Sequence, residues 1–305
     1  MTPSDKSYLR YSWFLFGMVF LVIIAGGVVR MTQSGMGCPD WPRCFGMWIP
    51  PTDASQLPAD FEKYLSKQDI DHTFNVFHTW IEYINRLLGA LLGVFIFIYL
   101  IWSVRKFWKT DKRFVVISIL LFIAVGIQGW LGKLVVEGNL AVFKITIHML
   151  GALIIAALPL VNIIRLKNIR FSVDRKFKIL LNLFIVAVLV QIVFGTQVRE
   201  EIDIISKSLN YENRELWISR LGDVFYLHRS FSWLIVLLSG YLLYASKSIS
   251  SILKYTKAIG INVLCIIALG IIMSYANMPA VAQPLHLVFA CTLLMIGCYT
   301  GLVMK

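Results

Sequence analysis

Charge is scarce in this sequence. Only 15% of its 305 residues are Asp, Glu, Lys or Arg, whereas 58% are hydrophobic. Soluble domains carry roughly 25% charged residues, so this composition excludes a soluble domain. It is typical of an integral membrane protein.

The sequence also lacks a secretory cleavage site after its first apolar stretch, which is longer than the core of a signal peptide. We therefore expect that stretch to remain as a helix. Eight apolar stretches approach the length of about 20 residues that crosses a bilayer core; they lie near 12–31, 79–103, 114–136, 142–164, 178–198, 222–244, 256–276 and 283–303. The predicted fold is an all-α integral membrane protein with eight transmembrane helices.

Acidic residues are outnumbered, at 17 against 29 basic residues, which gives a net charge of +12. The basic residues follow the second, fourth and sixth stretches, on the side of the amino terminus, and the acidic residues collect in two long connections on the other side. Basic connections lie on the cytoplasmic side of a membrane. We therefore expect both termini in the cytoplasm. Membrane topology, together with attraction to anionic lipid, explains the excess of basic residues, so no nucleic-acid partner is needed to account for it.

Cysteine is rare as well, at five residues. Cys265, Cys291 and Cys298 fall inside the last two apolar stretches and are expected to be small buried hydrophobes. Cys38 and Cys44 flank "CPDWPRC" outside the first stretch, on the oxidising face, where a disulfide is favoured. Their spacing is not CxxC, and two free thiols or a redox pair are the alternatives.

The eight stretches are consistent with two copies of a four-helix unit. The first ends "AGGVVRMTQSG" and the fifth ends "VFGTQVREEID"; the fourth and eighth carry a histidine in "TIHMLGALIIAAL" and "PLHLVFACTLLMI". Parallel repeats place a site at or within each half. We expect two pseudo-symmetric four-helix bundles, residues 1–170 and residues 171–305.

One polar residue stands about one and a half turns into each inward-running stretch: Asn85, His148, His228 and His286. At about 1.5 Å of rise per residue, all four lie at one depth near the outer surface. A single intramembrane histidine is about as often a hydrogen-bonded core residue as a ligand, but three at one depth favour ligands. Zinc usually takes three or four ligands that include Cys or carboxylate. A histidine pair that clamps heme iron is the better interpretation.

An arginine follows the polar position twice, as Arg86 after Asn85 and as Arg229 after His228. A guanidinium near the outer surface is placed to pair with a heme propionate. Snorkelling of the side chain to the membrane interface is the alternative, and the repetition favours the propionate.

Taken together, these residues resemble the heme A synthase family, whose members oxidise a methyl group of heme O to the formyl group of heme A for cytochrome oxidase. The segments that carry the resemblance are spread over nearly the whole chain: "MTQSGMGCPDWPRC", "EYINR", "QGWLGKLVVEGNL", "IHMLGA", "LHRSFSW" and "MPAVAQPLHL". The resemblance implies a heme b cofactor in the carboxyl-terminal half and the substrate heme O in the amino-terminal half. It also implies two successive hydroxylations of one methyl group.

The resemblance implies roles for single residues. His228 and His286 would ligate heme b, and His148 would contact the substrate iron. Glu82 would be the acidic residue essential to turnover, and Cys38 with Cys44 would match the outer-loop disulfide.

Glu82 lies on the same helix face as His78 and Asn85, so a substrate heme below the outer loop would meet all three. A carboxylate there is a candidate to relay protons. A helix-start carboxylate favoured by the helix dipole is the alternative.

Asn85 departs from the family pattern E-x-x-H-R, because this chain has "EYINR". Three interpretations follow, in order of preference. His148 alone holds the substrate iron and leaves an open position suited to oxygen activation; His78, about 10 Å higher along the helix, substitutes; or the first site is degenerate.

No GxGxxG nucleotide fingerprint follows a strand, so electrons must come from an external donor. The expected partners are heme O, molecular oxygen or water, the lipid bilayer, and heme O synthase with cytochrome oxidase assembly factors; a homo-oligomer is left open. A non-catalytic membrane heme carrier or chaperone is the alternative function. A di-heme quinol-oxidising cytochrome b would need two complete histidine pairs, and Asn85 argues against it.

Overall fold

The computed structural model describes residues 2–65, 74–138 and 142–305. Eight long helices lie in these ranges: α1, Pro3–Met31; α2, Val76–Phe107; α3, Lys112–Glu137; α4, Val142–Lys167; α5, Arg175–Ser208; α6, Asp223–Ala245; α7, Ser250–Tyr275; and α8, Ala282–Leu302. A 3-10 turn, Ala54–Gln56, and two short helices, Glu62–Leu65 and Glu215–Ser219, lie in the connections. Each predicted apolar stretch corresponds to one long helix.

Polar capping residues extend several helices beyond their apolar stretches. Thr2 and Asp5 form a capping box at the start of α1. The Asn75 side chain accepts the His78 amide at 3.2 Å at the start of α2, and Asp111 caps α3. Such caps satisfy amides of the first turn that have no partner within the helix. Hydrophobicity alone therefore placed the starts of α1, α2 and α3 too late in the sequence.

Seven of these helices are long and apolar enough to cross a membrane: α1, α2, α3, α4, α5, α7 and α8. The protein is therefore a helical, multi-pass membrane protein. The remaining long helix, α6, has 23 residues but is not among the seven. Asp223, His228 and Arg229 lower the hydropathy of its first half.

The chain divides into two compact units, Met1–Asn162 and Ile163–Lys305, and the division falls inside α4. The sequence predicted a division a few residues later, between residues 170 and 171. What each half binds stays a prediction.

A buried network of polar side chains joins the four helices of the first unit. The Tyr8 hydroxyl hydrogen-bonds Ser103 Oγ at 2.8 Å, and Ser103 hydrogen-bonds Ser118 at 2.6 Å. Asn162 of α4 donates to the hydroxyls of Tyr8 and Tyr99 at 3.3 and 3.2 Å. Polar side chains that hydrogen-bond between membrane helices fix how those helices pack. This network therefore stabilises the packing of α1, α2, α3 and α4 near Tyr8 and Asn162.

The four long helices that follow α4 pack in a closed order in the second unit. α5 contacts α6 and α8, and α7 contacts the same two helices. Trp217, in the connection between α5 and α6, is buried against Val198 and Ile202 of α5. At the other end of α5, the Phe171 amide donates to the Val303 carbonyl at 2.7 Å.

Candidate functional site

The first connection packs onto the start of α2. A disulfide joins Cys38 to Cys44, which confirms the pairing favoured from the sequence. The cystine and Phe45 form a buried cluster against Tyr83 of α2. The Tyr83 hydroxyl also donates to the Trp48 carbonyl at 2.7 Å. We call residues 36–48 the disulfide loop.

Gly37 lets the backbone of the disulfide loop touch α2. A Cβ at this position would overlap the His78 carbonyl and lie 2.7 Å from the Thr79 amide nitrogen. The Thr79 hydroxyl donates to the Gly37 carbonyl at 2.9 Å. Only glycine permits so close an approach. His78, one of the candidate ligands, thus has its backbone at this contact, and its half-buried ring lies beside Phe77.

Glu82 connects the disulfide loop to α2. It is only 4% exposed. One carboxylate oxygen accepts the Cys38 amide at 2.7 Å, and the other accepts Arg86 Nε at 3.1 Å. A buried carboxylate requires such partners. Glu82 therefore links the disulfide-bonded Cys38 to Arg86, one turn further along α2.

Most donors of the Arg86 guanidinium go to the same loop. Nη2 donates to the Cys38 carbonyl at 2.7 Å, and Nη1 donates to the carbonyls of Asp40 and Arg43. Nε and Nη2 also pair with Glu82. All three nitrogens of the side chain are thus engaged. This geometry gives no support to a propionate role for Arg86, which stays a prediction.

The second unit brings His228 and His286 together. Their ring centroids lie 6.4 Å apart, at an interplanar angle of 60°. Two imidazoles on opposite sides of one metal would have centroids on the order of 6 Å apart, because a metal–imidazole bond is about 2 Å. Among the described residues, no group of three or more His, Cys, Asp or Glu residues is arranged to hold a metal. The pair therefore suits an ion whose other ligands come from a macrocycle.

His148 of α4 lies against α3 in the first unit. The Gln128 Nε2 atom donates to the His148 carbonyl at 2.7 Å. A Cβ at Gly132, one turn beyond Gln128, would lie 3.4 Å from His148 Cε1. α3 therefore contacts His148 at two points, through the Gln128 side chain at its main chain and through Gly132 at its ring edge.

His228 has the same surroundings in the second unit. Gln191 Nε2 donates to the His228 carbonyl at 3.0 Å. A Cβ at Gly195, one turn beyond, would lie 3.3 Å from His228 Cε1. Gly195 therefore makes room for the edge of the His228 ring.

Buried polar atoms without a hydrogen-bond partner occur at all four matched positions. They are Asn85 Oδ1 and the Nδ1 atoms of His148, His228 and His286. Unpaired buried polar atoms cost free energy, so they are expected where a bound group supplies the partner or a ligand bond orients the ring. The donor set, two facing imidazoles in one unit and one imidazole with an amide in the other, fits heme.

Two further arginines, Arg229 and Arg199, contact residues that are close in the chain to the histidine pair. Arg229 is exposed and lies over the rings of Phe225 and Tyr226, so its propionate role stays a prediction. Arg199 Nη1 instead donates to Gln283 Oε1 at 3.0 Å, three residues before His286 in the chain. Sequence reasoning did not select Arg199, although "VR" in the matching ends of α1 and α5 was a signal for it.

Known proteins match this chain along nearly its whole length. A family model described as a cytochrome oxidase assembly protein, COX15-CtaA, matches residues 9–297. A heme A synthase of Flavobacterium johnsoniae is 25% identical, and the alignment covers 98% of each chain. Heme A synthases of Ehrlichia canis and Rhodospirillum centenum are 28% and 30% identical, over 59% and 47% of this chain and 56% and 41% of their own. The chain thus aligns with nearly all of the first relative and with about half of the other two.

Proposed function

The chain belongs to the COX15-CtaA family of cytochrome oxidase assembly proteins, and from this membership we propose that it is a heme A synthase. It would oxidise one methyl group of heme O to a formyl group by successive hydroxylations. The reaction class is that of an oxidoreductase, and the product would serve cytochrome oxidase biogenesis.

The structural observation that supports the proposal is the pairing of His228 and His286, whose ring centroids lie 6.4 Å apart. These imidazoles would hold heme b in the second unit. When bound, heme b would supply one-electron transfer to the reaction. The protein's part is to keep the two imidazole rings at a fixed separation among apolar helices.

The first unit would hold the substrate heme O at His148. Asn85 offers an amide rather than an imidazole, so we propose that only His148 binds the substrate iron. The side opposite His148 is then free for molecular oxygen, which would be both the oxidant and the source of the inserted oxygen atom. Glu82 would take or give the proton, and its hydrogen bond with the Cys38 amide places that carboxylate directly under the disulfide loop.

The proposed setting is the cytoplasmic membrane. We propose that α6 is the eighth crossing, that the eight helices form two four-helix bundles, and that both termini are cytoplasmic with the heme sites near the outer face. Clusters of Lys and Arg after α2, α4 and α6 support this orientation. The electron donor is external, and heme O synthase and cytochrome oxidase assembly factors are the proposed protein partners.

Heme analysis tests the proposal. The full chain is produced in a host that supplies heme O but no heme A, purified in detergent, and its hemes are identified by chromatography and mass spectrometry. Heme A together with heme b supports the synthase. Heme b alone, or heme b with unconverted heme O, overturns it in favour of a heme carrier or a degenerate first site.

A further inference from the structure

The geometry points to Gln128 and Gln191 as positioning residues that orient the iron-binding histidines His148 and His228. Each glutamine lies on the helix that faces its histidine, and its side-chain amide donates to the main-chain carbonyl of that histidine. The inference rests on the proposed function, because it concerns how the chain prepares those rings for iron.

The first contact lies between α3 and α4. Gln128 donates to the His148 carbonyl at 2.7 Å. Gly151, one turn beyond His148, makes room for the amide, because a Cβ there would overlap Gln128 Oε1. Gly132 then brings α3 to the edge of the His148 ring. The histidine is thus held at two points, its carbonyl and its ring edge.

The second contact repeats the first in the other unit. Gln191 donates to the His228 carbonyl at 3.0 Å, and Gly195 lies at the His228 ring edge. The sequence between glutamine and glycine differs, "GWL" in α3 and "IVF" in α5. The glutamine and the glycine are what the two segments share, so the arrangement does not follow from general similarity of the two helices.

The third histidine lacks half of this arrangement. Gly270 faces His286, and a Cβ there would lie 3.7 Å from His286 Cε1, an ordinary contact. The residue one turn before Gly270, where a glutamine would stand, is Ile266. The side chain of isoleucine donates no hydrogen bond, so the carbonyl of His286 has no such tie, although the Ile266 main chain lies beside the His286 side chain. The side-chain bond from the facing helix to the histidine carbonyl therefore distinguishes His228 from His286.

Physical chemistry gives the glutamines a specific effect. A side-chain amide in an apolar helix needs a partner, and a bond to a neighbouring helix fixes the spacing of the two helices at that depth. Fixing the main chain of the histidine and touching its ring edge restricts rotation of the ring. Because ligand orientation tunes the electronic state of heme iron, the glutamines act on the metal through the histidines.

The test compares two variants of the full-length, heme-loaded protein. Gln191→Ile introduces the residue that stands at the matching position of α7, Ile266, one turn before Gly270. The control, Ser246→Ala, removes the buried hydrogen bond of 2.6 Å between Ser246, which directly follows α6, and Thr256 of α7. Each variant loses one side-chain hydrogen bond to a neighbouring element, but only Gln191→Ile loses a bond to a proposed iron ligand. The readouts are heme content, the low-spin electron paramagnetic resonance spectrum and the reduction midpoint potential.

We expect Gln191→Ile to keep heme b with a broadened or split low-spin signal and a shifted midpoint potential. Ser246→Ala should lower thermal stability and leave both spectrum and potential unchanged. An unchanged spectrum and potential in Gln191→Ile, or an equal shift in Ser246→Ala, would overturn the inference. A wild-type protein without low-spin heme would instead overturn the proposed function, so the two failures are distinguishable.

Gln128→Ile provides the corresponding test in the first unit. We expect weaker retention of added heme O, with the heme b spectrum and midpoint potential unchanged. A change in the heme b signal, or wild-type retention of heme O, would contradict the assignment of Gln128 to His148.

Discussion

At the scale of the residue, Glu82 is both an anchor of the disulfide loop and the candidate proton carrier. Glu82→Gln keeps the size of the side chain but leaves the partly buried Arg86 without a counter-charge. Breaking a fully buried ion pair costs about 3–5 kcal/mol, and Arg86 is partly exposed, so we expect a smaller loss of thermal stability. We also expect loss of heme A with heme b retained. Thermal unfolding in detergent and heme extraction measure the two effects.

Thr79→Val is the matched control for Glu82→Gln. It removes the bond from Thr79 to the Gly37 carbonyl, at a cost of about 1 kcal/mol, and it touches the same loop without changing charge. We expect it to keep heme A formation. If Glu82→Gln still made heme A at the wild-type level, Glu82 would serve only as an anchor.

The identity of residue 85 should determine the spin state of the substrate heme, because it decides whether a second imidazole can bind the iron. With one axial imidazole, from His148, heme O should be high-spin in the wild type. Asn85→His should add a second imidazole and produce a low-spin signal, and His78→Ala should change neither state. Optical and electron paramagnetic resonance spectra of heme O-loaded protein decide this. A low-spin wild type that becomes high-spin in His78→Ala would show that His78 is the second ligand.

At the scale of the element, the contact of the disulfide loop with α2 depends on Gly37. Gly37→Ala places a methyl group against the main chain of His78 and Thr79, and backbone cannot move aside as a flexible side chain can. Overpacking of this kind costs about 1–3 kcal/mol. We expect a lower unfolding temperature and loss of heme A. Gly17→Ala, at an exposed position of α1 with no atom within 4 Å of the new Cβ, should leave both unchanged.

The sequence predicted the helices better than the contacts between them. Hydrophobic stretches located all eight long helices, because burial in lipid depends on local composition, and matched depth located His228 and His286 as a pair. The tie of Arg86 to the carbonyls of the disulfide loop joins residues more than 40 positions apart. No local pattern encodes such a bond. The repeated glutamine and glycine before the histidines were visible in the sequence, but their meaning required the neighbouring helix.

At the scale of the whole molecule, the membrane topology depends on whether α6 crosses the bilayer. Seven crossings would put the termini on opposite sides of the membrane, and eight would put them on the same side. We expect reporters fused before Met1 and after Lys305 to give the same cytoplasmic signal, because the basic connections lie on the side of both termini. Opposite signals would show that α6 does not cross. Reporters inserted after Lys109 and Lys247, in two of the basic connections, serve as cytoplasmic controls.

The pairing of Phe171 with Val303 also bears on biogenesis. Arg170, next to Phe171, bonds the carbonyl of Leu302 across 132 residues of chain, and His286 reaches His228 only when α8 is in place. A chain that enters the membrane from its amino terminus therefore completes the first unit, with His148 and the disulfide loop, well before the second. If His228 and His286 hold heme b as proposed, cofactor loading is a late step in maturation, and a chain stalled before α8 leaves the translocon would carry no b-type heme.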